Sequence, residues 1–160
     1  MRQYLKSFLS TFRPKKQDPD ASFDLLDFTQ EDFECPIERC EKGVYIISAT
    51  DGTKFIYPNG KKSPIIYIGM SEDLLRRIRD EHYYKGLKHL LDDPNYGIEE
   101  NIQIASRYQY MYYNGSHVDV FKCRGLQAAK NLESMILNQF YKTYRAIPVG
   151  NGARSFEKNS

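Results

Sequence analysis

The sequence predicts a mixed α/β (α+β) domain, and three observations carry that prediction. Two short runs rich in β-branched residues, Gly43-Val44-Tyr45-Ile46-Ile47 and Ile65-Ile66-Tyr67-Ile68, have the composition of buried strands. The second run turns at Gly69 into a helical pattern in which Leu74, Leu75, Ile78 and His82 share a face. A third stretch, from Leu126 to Tyr144, sets Leu126, Ala129, Ile136, Leu137 and Phe140 on one apolar stripe and stops before Pro148. At 160 residues the chain is long enough for one real core with extensions, and too short for two.

Taken in order, residues 2 to 12 place Tyr4, Leu5, Phe8, Leu9 and Phe12 at helical spacing, with Pro14 closing the pattern. Such a helix packs on its own domain or on a second subunit, with a membrane surface as the alternative. Residues 15 to 41, with acids separated by single apolar residues, read as a connector lying on the domain rather than in its core, so residues 1–42 form an N-terminal helix and acidic connector. The strand from Gly43 follows. Asp51-Gly52 and Asn59-Gly60 then mark a long hairpin excursion, which makes the strands near 45 and 67 antiparallel neighbours. Ser71 is placed to cap the next helix, with Glu72 and Asp73 in its first turn. On that helix Arg76 points away from the apolar face, whereas Arg77 lies to one side, toward the sheet edge. Residues 83 to 100 are polar and broken by Pro94 and Gly97, with a short helix from Leu87 to Leu91. The alternation through Tyr108, Tyr110 and Tyr112, then Asn114-Gly115, reads as a hairpin, with a helix over 99–111 as the alternative.

Composition excludes little else. The formal net charge of +2 names no polyanionic partner, but residues 43–160 hold 16 Lys/Arg against 12 Asp/Glu while residues 1–42 are acidic. Cys35, Cys40 and Cys123 have neither disulfide parity nor metal-site spacing. No run approaches a membrane span or a signal-peptide core, so a reduced, cytoplasmic chain is expected.

One acid breaks the pattern. Glu133, four residues after Ala129 and three before Ile136, belongs to the apolar stripe of the long helix. A carboxylate there needs a cation, a metal or a mouth of solvent, because its desolvation costs several kcal/mol. A structural ion pair with a helix arginine and a metal or catalytic role both satisfy that need.

Five separated positions resemble the GIY-YIG endonucleases. Gly43-Val44-Tyr45 is similar to the first motif of that family and Tyr67-Ile68-Gly69 to the second; Arg77 has the spacing of the family's helix arginine, Leu132-Glu133 of its metal-binding glutamate, and Pro148-Val149-Gly150-Asn151 of its closing motif. The resemblance spans residues 43–151 and leaves 152–160 as a tail. His82 falls five residues after Arg77, where many members carry a histidine three or four after theirs. The resemblance implies a central three-stranded antiparallel sheet flanked by helices and a metal-dependent endonuclease hydrolysing DNA. In it Glu133 would hold Mg2+ (or Mn2+), Arg77 would stabilise phosphoryl charge, and Asn151 would fix a backbone or phosphate contact. Tyr45 would be the base, its phenol lowered by nearby cations, and Tyr67 its orienting partner. Lys122, Arg124 and Lys130 would line a DNA path together with His82, unless simple surface solvation explains them. Whether two subunits pair as a homodimer to cut both strands stays open. The alternative is a noncatalytic module that binds nucleic acid or protein on the same fold.

Overall fold

The computed structural model describes residues 18–96 and 102–152. The amphipathic pattern of residues 2 to 12 lies outside them. The strands are β1 (Ala21–Asp24), β2 (Lys42–Ser48), β3 (Phe55–Ile56), β4 (Lys62–Ser63), β5 (Ile65–Ser71) and β6 (His117–Cys123). The helices are α1 (Arg76–Leu87), α2 (Lys88–Asp92), α3 (Ile102–Asn114) and α4 (Leu126–Tyr144), with a 3-10 turn at Leu25–Thr29. One antiparallel sheet runs in the order β1-β6-β2-β5.

The sheet therefore has four strands, where the resemblance implied three. The added strand comes from the segment read as a connector: Ala21 pairs with Val120 and Phe23 with Val118. Ala21, Phe23, Leu25 and Ile37 are buried in the core. The single apolar residues between acids are the reason, since alternation with period two gives a short edge strand an inward and an outward face. The long link from 50 to 64 folds as expected, with the small ribbon β3-β4 at its tip.

Alternation along β2 and β5 sorts the core into two layers. Val44, Ile46 and Ile68 join Ile136, Leu137 and Phe140 of α4 on one face. Tyr45, Ile47 and Tyr67 join Leu74 just ahead of α1, Ile78 and Leu87 of α1, and Tyr108 and Met111 of α3, on the other. The register between β2 and β5 slips at Ile47 and Ser48, where Tyr67 and Ile65 are the respective partners, so Ile66 is an extra residue that bulges toward the α1 side.

Residues 102–114 are helical, against the hairpin expectation and in line with its helical alternative. Tyr108 and Met111, three apart, are the buried pair, and tyrosines on the remaining sides are partly exposed, which produced the misleading alternation. At the start of α1 the cap is Asp73, whose Oδ1 accepts from the Arg76 N–H at 3.2 Å; Ser71 sits one step earlier and accepts from the Asp73 N–H at 2.9 Å. The chain leaves β5 through Ser71, so the first orphan helical amides fall two residues later than the glycine turn suggests. The short helix expected from Leu87 to Leu91 is present as α2, Lys88–Asp92, and follows α1 directly.

Candidate functional site

Between the sheet and α1, residues distant in sequence meet. β2 points Tyr45 to this face and β5 points Tyr67, and their rings lie 5.8 Å apart. Directly opposite Tyr45 across the ladder is Gly69. A Cβ there would stand 2.7 Å from Tyr45 Cζ and 2.5 Å from Tyr67 Cε1, so the glycine makes the room both rings occupy.

Helix α1 supplies Arg77 and His82. In an α-helix residues five apart point about 140° away from each other. Here α1 is wound as a π-helix, whose bonds to the fifth residue bring i and i+5 onto one side. Arg77 donates Nε–H to Tyr45 Oη at 3.3 Å, and His82 Nε2 lies 2.6 Å from the same oxygen. A second Arg77 nitrogen donates to Tyr67 Oη at 3.4 Å, and the third pairs with Glu81. Arg76 is exposed, as its phase predicts.

The pattern of hydrogen-bond partners is the basis on which the histidine tautomer is assigned. Tyr108 Oη spends its proton on the Glu81 carbonyl, 3.4 Å away, so it accepts from His82 Nδ1–H at 3.2 Å. His82 Nε2 is then the acceptor of the Tyr45 hydroxyl proton. Tyr108 approaches closely because Gly86 lies under its ring, where a Cβ would be 2.4 Å from Cε1.

Burial holds the His82 imidazole well below its usual range, and the charges of Arg77 and Arg107 push the same way. The ring is neutral at physiological pH. Burial also pushes the Tyr45 phenol well above its ordinary value, with Tyr67 adding to the rise and Arg77 opposing it. This corrects the expectation of a cation-lowered phenol: with 0% exposure, desolvation outweighs the guanidinium.

Arg107, which no sequence motif singled out, completes the cluster. It donates Nε–H to the Gly150 carbonyl at 2.6 Å and lies 4.6 Å above the Tyr67 ring centroid. Its only signal in the sequence is its place one residue before Tyr108.

Asn151 stands at the outer edge of β5. Its Oδ1 accepts from the Ile68 N–H at 3.0 Å and its Nδ2 donates to the Ile68 carbonyl at 2.8 Å. Together with the Gly150 N–H to Ile66, it replaces a neighbouring strand and braces the strand that carries Tyr67. Of the backbone or phosphate contact expected of Asn151, the structure shows a backbone one.

Glu133 is buried on α4 as its phase predicts, one turn before Ile136 and Leu137, which pack in the layer on the sheet's other face. Among the described residues no group of three or more His, Cys, Asp or Glu is placed to hold a metal. A site that takes Glu133 as its carboxylate ligand suits an ion that keeps most of its shell as water and substrate oxygen, as Mg2+ and Mn2+ do, and does not suit zinc. Lys122 pairs with Glu41 at 3.1 Å, whereas Arg124 and Lys130 are exposed. His82, grouped with them as a DNA contact, is 1% exposed and belongs instead to the tyrosine cluster.

Scans against protein-family models, curated proteins and solved structures returned no match for this chain.

Proposed function

We propose that the chain is a GIY-YIG-type, metal-dependent endonuclease that hydrolyses DNA phosphodiester bonds at Arg77. One observation carries the reading: Tyr45, Tyr67 and Arg77, the three motif positions spaced along 33 residues of sequence, meet in one hydrogen-bonded group. A fixed, permanently charged fork held by two hydroxyls suits charge developing on phosphoryl oxygens.

Tyr45 cannot act as a resting phenolate, because its burial favours the neutral form. It acts instead as a relay, taking a proton from the attacking water while its own passes to His82 Nε2, 2.6 Å away. Tyr108 holds the imidazole in the tautomer that can receive it. A phosphate on Arg77 offsets the cationic charge that depresses His82 and so strengthens it as the final acceptor. Glu133 would hold the magnesium ion, which when bound neutralises phosphate charge as a Lewis acid. Asn151 and Arg107 keep Tyr67 and its strand in place.

One observation favours a second reading, a noncatalytic module that binds nucleic acid or protein: the Tyr45 hydroxyl has no solvent exposure. Plasmid nicking divides the two. The nuclease reading expects nicking with magnesium, its loss with chelator, and its loss in Glu133→Ala with the thermal transition retained. DNA binding without nicking in the native chain removes the enzyme reading and leaves the module.

A further inference from the structure

Each nitrogen of the Arg77 guanidinium has a different partner. Nε meets the Tyr45 hydroxyl and one terminal nitrogen the Tyr67 hydroxyl, both facing inward to residues with 0% and 3% exposure. The remaining nitrogen faces outward and holds the Glu81 carboxylate, and the side chains of this pair are 37% and 32% exposed. The outward nitrogen is thus the approach open to a ligand, and an acid of the same helix occupies it. A carboxylate and a phosphodiester present the same feature to a guanidinium, two anionic oxygens that accept its N–H groups. The occupant is weakly held, because part-exposed pairs four residues apart on a helix contribute little.

We propose that Glu81 is a built-in substitute for phosphate, and that a phosphodiester or free phosphate anion binds Arg77 by displacing it. The proposal rests on the reading of Arg77 as the phosphate-holding group and adds the means by which the site is kept covered. Glu81 covers the outward nitrogen of Arg77 in the free protein, and its departure is what lets a ligand reach the guanidinium. The exchange needs only side-chain rotation at residue 81, since the Glu81 carbonyl can keep its contact with Tyr108.

The test is binding in excess EDTA, so that no cleavage intervenes, with a labelled duplex oligonucleotide as one probe and inorganic pyrophosphate as the other. Glu81→Gln and Glu81→Ala should tighten binding by about three- to tenfold, the scale set by removing one part-exposed ion pair and its repulsion of the incoming anion. Asp80→Asn removes the same charge next door, from a pair with Arg79, and should change it by less than about twofold. In an Arg77→Ala background, Glu81→Gln should give no gain. A gain with both probes assigns the site to phosphate as such, and a gain with the oligonucleotide alone assigns it to the nucleic-acid backbone. Unchanged or weaker binding in both Glu81 variants, or an equal gain in Asp80→Asn, overturns the proposal. Tighter binding without magnesium-dependent nicking sustains the Glu81 exchange and removes only the hydrolase reading.

Discussion

Tyr45 is where burial and chemistry pull against each other. Its hydroxyl is the shared partner of Arg77 and His82, and it lies where water does not reach in the free protein. Replacing it by Phe keeps the ring over Gly69 but leaves His82 Nε2 a buried acceptor without its donor. Tyr45→Phe should therefore cost about 1–3 kcal/mol in denaturant unfolding. If the relay operates, nicking should fall by about 10²- to 10⁴-fold in the same variant, measured well below its unfolding midpoint. A stability loss with nicking unchanged would make the network structural and take Tyr45 out of the reaction.

At the scale of elements, β1 is held to β6 by more than its ladder. His117 has Nδ1 2.9 Å from Asp24 Oδ1 and Nε2 3.3 Å from Asp119 Oδ1, and Asp119 also accepts from the Ser22 hydroxyl at 2.7 Å. The Asp119 hydrogen bond is the main cause that raises His117 above its usual range, with Asp24 adding to it and burial opposing. A histidine with a raised folded-state pKa stabilises fully below its unfolded value of about 6.5, and that contribution is lost as pH rises through the folded value. Amide exchange in β1, corrected for intrinsic rate, should thus quicken as pH climbs from about 6.5 through that raised value. In His117→Gln the dependence should flatten; a native-like pH dependence there would sink the assignment. His82 has the opposite sign. Its depressed pKa makes the fold lose stability as pH falls below about 6.5, because the unfolded chain then takes up a proton that the buried ring does not.

For the whole molecule, the segment before β2 decides where the domain begins. If residues 1–42 were only an appendage, a chain starting at residue 42 would melt like the native one. Instead it should lose its cooperative thermal transition, because it lacks Phe23, Leu25 and Ile37 and leaves the β6 edge and the face beneath them in water. A native-like melt of the truncated chain would show that β1 is dispensable. No helix among the described residues is long and apolar enough to cross a membrane.

The sequence by itself determined the elements with a strong local period. The strands at 43–47 and 65–68, α4 with both its ends, the buried phase of Glu133, and the divergence of Arg76 from Arg77 were all legible, because side-chain direction follows directly from backbone repeat. Only the tertiary structure decided the rest. The π winding that brings His82 level with Arg77 leaves no periodic signature in a single sequence, and Arg107 joins the cluster through partners 40 and 43 residues away. The alternation within residues 21–24 suits a strand, but that the segment becomes one also needs the edge that β6 offers it at Val118 and Val120, which the run itself does not reveal. The Tyr45 phenol was read as lowered because neighbouring cations can be inferred from sequence, whereas complete burial, which outweighs them, belongs to the packed molecule.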